Sequence, residues 1–493
     1  MIEEKFLVIF FLVLFFGVLI RALPLLKYTY VGIDSFFHLL VGEEITKKGR
    51  LPSKIGYFTI SGTYAYPPLL HYIISYLLKY MSAKKVQFFS IIIDAINMGF
   101  IFIFGKYFFD EFVGIIGMAL YASSPEVVKQ SSNLNPRSLG LMMFLFSVSF
   151  FIFGLESPDR LIAFIWFCFS SLFFSFVLLT HKMATQTLLF TFIGFLFLGL
   201  ANILDHFLLL GAITVVLFGF LLAFILTKGF YLKVLRAHIW FLKYYFHTGS
   251  AKSGKKSVEN PLIPVALCPS VILCGFVILG LILNPFFSIL NLKIESSDVI
   301  IILATWAAVC LVLSFLWPLG EAFRKILYAT PPSVLLASVF IEKLDTIPAT
   351  ILVIGIFIAS LFVIYKLISG YKPPFYLSSD ILACYEFIKN LDENVILFSA
   401  DSSYNYSLAY FTRKLIVGSD TSAESLNPAG KLYKKTFLQI IEEFEVTHIF
   451  VDNVFDFEKG KSSLLERDGV FLDMIYNSRN FGVYKIRKID ISN

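Results

Sequence analysis

Charge is what this sequence has least of. Asp, Glu, Lys and Arg make up only 15% of its 493 residues, where a soluble chain of that length carries roughly a quarter. That shortage excludes a soluble globular enzyme and a disordered chain alike. The balance of sign is also mild, 41 Lys+Arg against 35 Asp+Glu. A nucleic-acid partner, which calls for a basic stripe, is excluded with it. Cysteine is scarce too: there are five, with no CxxC spacing, so no disulfide framework, zinc site or redox pair is signalled. What abounds is apolar. Hydrophobic types reach 57%, Phe alone numbers 57, and the mean hydropathy is +0.79. A polytopic membrane protein is the class that remains.

A bilayer core of about 30 Å takes about 20 helical residues. Apolar runs of that order lie at 6–26, 86–105, 140–155, 161–180, 183–204, 207–227, 262–283, 298–317, 326–341 and 347–368, with a shorter one at 111–125 whose Gly and Ala suit close helix packing. The expected count is about eleven spans. The first run is too long for a signal-peptide core and lacks a small-residue cleavage site, so it reads as an uncleaved span. Residues 66–81 open with Pro-Pro and contain His71 and Lys79. They suit a helix lying in the membrane interface, or else a short twelfth span. The loop 228–260 sets Lys and Arg at helical spacing among Tyr, Trp and Phe, the pattern of a basic amphipathic helix on anionic headgroups.

Beyond residue 370 the composition becomes that of a soluble domain. Short β-branched runs at 394–399, 414–418, 447–452 and 481–486 alternate with helical patterns such as 433–444. That alternation predicts a small α/β domain with a largely parallel sheet over 371–493, after a membrane domain over 1–370. The tail has neither a glycine-rich phosphate loop nor a nucleophile elbow, so the chemistry is sought elsewhere.

The first loop, 27–85, begins YVGIDSFFHLL. A helix starts near Asp34, and His38 lies four residues on, on the same face. A carboxylate and an imidazole so placed can activate a hydroxyl or bind a metal. Alternatively, Asp34 is the N-cap of that helix. Glu43 and Glu44 stand in register with Lys47 and Lys48, as on a solvated face. Asp94, inside the second run with Asn97 three residues on, is a functional carboxylate or a packing contact.

Asp34 after the first span, the helix through Ile45, Gly49 with Pro52, and Tyr66-Pro67-Pro68-Leu69 together resemble the first external loop of the GT-C superfamily, the polytopic glycosyltransferases that use polyprenyl-phosphate sugars. The stretch 123–144 resembles the second external loop (here 126–139) of oligosaccharyltransferase catalytic subunits. The layout is also similar to protein mannosyltransferases and lipid A aminoarabinose transferases. The resemblance implies an α-helical polytopic fold with a carboxyl-terminal α/β domain. It implies a polyprenyl-phosphate sugar donor, a lipid, glycan or protein acceptor, a cell-membrane location and an extracytoplasmic active face. The resemblance leaves a divalent cation, Mg or Mn, open, with Asp34 and His38 as its ligands if one is bound. Asn133 and Asn135 stand where the family has an acidic motif, Tyr66 replaces a basic residue, and no WWDYG signature occurs; a single sugar is the donor these departures favour.

Displacement at an anomeric carbon needs a base for the acceptor hydroxyl and positive charge for the departing phosphate. Asp34 and His38 are the catalytic candidates, and Tyr66 and His71 are candidates for positioning the donor or acceptor. Arg137, Lys129, His181 and Lys182 are the phosphate-binding candidates, Arg137 because its guanidinium can grip phosphate with two donors. Each also has a plain reading: Arg137 as an interfacial anchor, His181-Lys182 as a snorkelling turn. Two functions outside catalysis fit the same chain, a lipid or glycolipid transporter and a catalytically inactive scaffold. The loops on Asp34's side hold most of the Lys and Arg, and the positive-inside rule would turn that side to the cytoplasm. The family resemblance turns it outward.

Overall fold

The computed structural model describes residues 4–252, 271–275, 278, 297–316, 322–344, 346–371, 375–420, 432, 435–452, 470–478 and 480–488. Along the chain the elements are α1 (Glu4–Lys27), β1 (Tyr30–Val31), α2 (Ile33–Lys48), β2 (Phe58–Ile60), α3 (Leu69–Leu77), α4 (Ala83–Val86), α5 (Phe89–Phe108), α6 (Glu111–Ala122), α7 (Pro125–Ser131), α8 (Pro136–Leu155), α9 (Arg160–Leu178), α10 (Lys182–Leu200), α11 (His206–Leu226) and α12 (Tyr231–Lys252). After these come α13 (Asp298–Phe315), α14 (Ala322–Glu342), α15 (Thr346–Ser369), β3 (Tyr376–Leu377), α16 (Ser379–Lys389), β4 (Ile396–Ser399), α17 (Asn405–Thr412), β5 (Leu415–Ser419), α18 (Phe437–Phe444), β6 (His448–Val451), β7 (Val470–Asn477) and β8 (Gly482–Lys488). They form two compact units: residues 1–24 with 88–370, and residues 25–87 with 371–493.

The first unit is helical. Among the described residues, eight helices are long and apolar enough to cross a membrane: α1, α4–α5 taken together, α8, α9, α10, α11, α13 and α15. Of the other three expected spans, 111–125 forms the shorter apolar helix α6. Residues 326–341 lie in α14, which keeps Pro331 and Pro332 inside a continuous helix. The run 262–283 falls largely outside the described residues. Several helices begin at side-chain caps: Asp110, Asn135, Asp159, Asp205 and Ser297 each accept a backbone N–H of the following turn. The glycines of α6 act as their spacing predicts. A Cβ on Gly105 of α5 would stand 2.8 Å from Gly114 Cα, so the two backbones touch where neither residue has a side chain.

Asp94 is a packing residue. The Arg21 guanidinium forms a buried ion pair with it, the Tyr121 hydroxyl donates to Oδ1 at 2.5 Å, and the Asn97 amide donates to Oδ1 at 3.3 Å. Arg21 also caps α6, donating to the Ala122 carbonyl at 2.8 Å. The expected satisfaction by Asn is present, but the main partner is a cation hidden inside the apolar run of α1.

The second unit is a mixed α/β body. Its six-stranded sheet has the order β2-β5-β4-β6-β8-β7. β2, β5, β4 and β6 run parallel, β8 is antiparallel to β6, and β7 is antiparallel to β8. Helix α18, with a capping box between Thr436 and Gln439, packs Ile440 and Ile441 on one face beside Val417, Ile449 and Val451. Tyr385 of α16 and Tyr404 lie against Phe450 on the other face.

The first loop departs from the division at 370/371. It contributes β2 to the edge of the sheet, and β1 pairs antiparallel with β3. The loop's place in the sequence puts it with the membrane helices, but its β1 and β2 satisfy their backbone groups on the carboxyl-terminal β3 and β5. Helix α3, nine residues and about 14 Å long, is too short to span a bilayer.

Candidate functional site

Helix α2 begins at Gly32, whose φ of 92° is open to glycine without strain. Asp34 is thus not the N-cap but a residue of the first turn, half-buried. The capping alternative is set aside by this register. His38 follows one turn later on the same face, 2% exposed.

What lies beside His38 was not legible as a pair. Its Nδ1 is 2.8 Å from Nε2 of His71, and Nδ1 of His71 is 2.6 Å from the Tyr64 hydroxyl. Phe37 and Tyr66 surround the imidazoles, with Tyr66 5.7 Å from His38 and 5.4 Å from His71 between ring centroids. Burial holds the His71 pKa well below its ordinary value, and His38 adds to the effect. Burial pushes the Tyr64 phenol well above its own, helped by Tyr66 and Tyr72. With His71 neutral, the chain has two polarities. Either Tyr64 donates to His71 Nδ1 and His71 Nε2–H donates to His38, or His38 donates to His71 and His71 donates to the Tyr64 oxygen. Both arrangements are neutral, and the line passes from one to the other only when Tyr64 takes up a proton as it gives its own to His71 and His38 releases one from Nε2.

Glu43 and Glu44 are not an ordinary solvated face. Glu43 pairs with the Arg413 guanidinium and accepts from the Tyr410 hydroxyl at 2.7 Å, tying α2 to α17. Burial first, and Glu43 second, raise the Tyr410 pKa. Glu44 keeps the expected i,i+4 partner Lys48 and also accepts from Tyr57 at 3.3 Å.

The phosphate-binding candidates lie in the helical unit and form two groups. Arg137 sits in the first turn of α8, its guanidinium donating to Gln130, whose amide donates to Glu126 at 2.8 Å. Asn135 caps that turn through the Arg137 N–H at 2.8 Å. Lys129 lies in α7, where its carbonyl accepts from Asn133 at 3.1 Å. The second group starts α10. His181 precedes the helix with Nδ1 3.2 Å from the Tyr328 hydroxyl, and the Lys182 ammonium lies 3.3 Å from the ring centre of Phe241. Arg137 and Lys129 therefore belong to one corner of the unit, and His181 and Lys182 to contacts of their own.

Asp34 and His38 do not amount to a metal centre. Among the described residues no three His, Cys, Asp or Glu side chains converge as ligands, and His38 Nδ1 is engaged by His71.

No protein-family model matches the sequence, and no curated protein matches it. Solved structures do. ArnT from Cupriavidus metallidurans, bound to undecaprenyl phosphate, superposes with a TM-score of 0.63 at 12% identity, covering 98% of this chain and 98% of that one. The archaeal oligosaccharyltransferase AglB from Archaeoglobus fulgidus, in complex with an inhibitory peptide and a dolichol-phosphate, gives 0.61 at 11% identity over 99% of this chain and 75% of that one. The Archaeoglobus enzyme in complex with Zn and sulfate gives 0.61 at 12% identity over 96% and 73%. The chain shares the fold of ArnT and of the Archaeoglobus oligosaccharyltransferase, with its α/β part included in the match.

Proposed function

We propose that this protein is a membrane glycosyltransferase that moves a sugar from a polyprenyl phosphate to a hydroxyl- or amide-bearing acceptor. The observation that carries this reading is the end-to-end match to ArnT, whose structure holds a polyprenyl phosphate. The buried Tyr64–His71–His38 line one turn from Asp34 supports it independently. The transporter alternative drew on Asp94, which is instead occupied in the packing contact with Arg21.

In this reading Asp34 takes the proton from the acceptor as the acceptor atom attacks the anomeric carbon. The bond from that carbon to the phosphate oxygen breaks, and its electron pair leaves with the lipid phosphate. Arg137, oriented by Gln130, is assigned the phosphate charge from its own surroundings. His38 steadies the developing charge near Asp34, and its hydrogen bond with His71 holds the imidazole in place. Tyr66 presents an aromatic face beside His38, suited to a sugar or prenyl group. The location assigned is the cell membrane, with the α/β unit outside.

Transfer of radiolabelled sugar from a panel of synthetic polyprenyl-phosphate sugars by the purified full-length protein tests the proposal. Label reaching an acceptor in the wild type and not in Asp34→Asn is the expected result. Donor binding without turnover on any acceptor class would point to the inactive scaffold.

A further inference from the structure

The parallel strands of the α/β unit end in acid. Within two residues of their carboxyl ends, β4, β5 and β6 are followed by Asp401, Asp420 and Asp452. From β4 the chain passes through α17 to β5 on one side, and from β5 through α18 to β6 on the other side of β4. Strand order thus reverses at β4, and a crevice at the carboxyl ends beside such a reversal is where open α/β sheets take ligands.

A cavity of about 400 Å³ lies there, with Val417, Leu432 and Ile440 as apolar walls and Ser399, Asp401, Asn405 and Lys435 as polar lining. Asn405 opens α17 and is 7% exposed, yet its Oδ1 has no hydrogen-bond partner. A Cβ on Gly418 would stand 2.5 Å from Asn405 Nδ2, so glycine at that place in β5 lets the carboxamide lie against the strand. Acceptors buried this deeply are nearly always paired, and leaving one unpaired is costly.

The cavity is rich in acceptors. Asp401 takes the Ser403 N–H on Oδ1 at 2.8 Å, which leaves Oδ2 for another donor. Ser399 turns its hydroxyl proton to the Asp401 carbonyl at 2.6 Å and keeps its oxygen lone pairs. The cation in the lining, Lys435, is paired with Glu443. Asp452 adds a second negative charge: burial chiefly, with Asp401 adding to it, raises the Asp452 carboxyl above its ordinary pKa. A ligand that completes this set brings N–H donors, positive charge and an apolar stem. A metal ion fits less well. Among the described residues no three carboxylate, imidazole or thiol groups converge, and aliphatic walls suit a carbon chain better than a hydrated ion.

We propose that this cavity binds a primary ammonium carried on a short aliphatic chain, its charge held by Asp401 and Asn405 and its stem lying on Leu432 and Ile440. A free amine and a lysine side chain carry the same group. The site is separate from the residues given roles in transfer and stands whether or not the chain transfers a sugar.

Full-length protein in neutral detergent is titrated with n-butylammonium chloride and with Nα-acetyl-lysine N-methylamide, and binding is read from the rise in thermal midpoint. Controls are 1-butanol, which lacks the charge, and tetramethylammonium chloride, which lacks the N–H donors. Saturable stabilisation by at least one amine and by neither control is expected, and the tighter amine identifies the source. Asp401→Asn keeps an oxygen to accept from Ser403, and Asn405→Leu removes an acceptor that no protein group uses. Each should weaken amine binding roughly tenfold. Three results overturn the proposal: no saturable stabilisation by either amine, equal stabilisation by either control, or unchanged amine affinity in both variants.

Discussion

His71 Nε2 lies 2.8 Å from His38 Nδ1, and the two rings are inclined at 32° with centroids 5.0 Å apart. Two imidazoles that share one hydrogen bond cannot both be charged cheaply in a buried site. The His71 pKa is depressed accordingly, burial being the larger cause. Above the unfolded value near 6.5 both states are neutral and the pair is at its most stable. Below it the unfolded chain gains a proton that the folded one refuses. Stability should fall as pH drops, by on the order of 1 kcal/mol at about pH 5.5. Thermal unfolding in detergent from pH 7.5 to 5 measures it, and His71→Gln should flatten the slope. A wild-type midpoint indifferent to pH would remove this account.

Asp34 separates capping from catalysis cleanly, because the cap is Gly32. Asp34→Asn and Asp34→Ala should both lose about 100-fold or more in transfer, while thermal midpoints stay near wild type. An active Asn enzyme would end the assignment of Asp34 as the base.

For Arg137, truncation to Ala should weaken donor binding by about 2 kcal/mol, the scale of a lost charge-assisted hydrogen bond. Arg137→Lys should recover only part, since a point charge replaces the planar fork. Gln130→Ala, which removes the acceptor that orients the guanidinium, should give a smaller loss of the same kind. Equal donor affinity in all three would return Arg137 to an interfacial anchor.

The Arg21–Asp94 pair makes the opposite prediction, on stability and not on transfer. Asp94→Ala leaves a buried guanidinium without its carboxylate and should cost about 3 kcal/mol or more. Replacing both, Arg21→Met with Asp94→Leu, should restore much of the loss. A double variant no better than the single one would show that the carbonyl contacts of Arg21, and not the pair, hold α1 to α6.

Because β1 and β3 pair, the first loop and the carboxyl-terminal strands share one side of the membrane. Ser53→Cys and Ser402→Cys, both at exposed positions, should react together or not at all with an impermeant thiol reagent in intact cells. Reaction of one alone contradicts the pairing.

Local pattern carried much of this and then stopped at identifiable places. The alternation in 394–399, 414–418, 447–452 and 481–486 matched β4, β5, β6 and β8, since β-branched runs between turns report half-buried strands directly. β2 was missed because Phe58–Ile60 is three residues long and becomes a strand only by pairing with β5. The face shared by Asp34 and His38 follows from helical period. The His38–His71 contact joins two helices, and no period within either one reveals it. Tyr64 had a weak signal, an aromatic three residues before Pro67, but nothing local pointed it at an imidazole. Arg21 was hidden by its own context, a lone cation averaged away in an apolar window.

The edge strand β2 has a bearing on how the chain is made. Gly62 donates its backbone N–H to Asp420 at 3.2 Å, a bond between residues 358 positions apart, with all of the helical unit after α1 made in between. At about 5–20 residues per second, a ribosome takes roughly 20–70 s to get from one to the other. For that interval β2 has no sheet to join, and Asp34 and His38 wait in a segment whose support has not been synthesised. Maturation of the site is thus a late, post-insertion event. A chain stalled before β5 would be fully embedded in the bilayer and still lack its candidate centre.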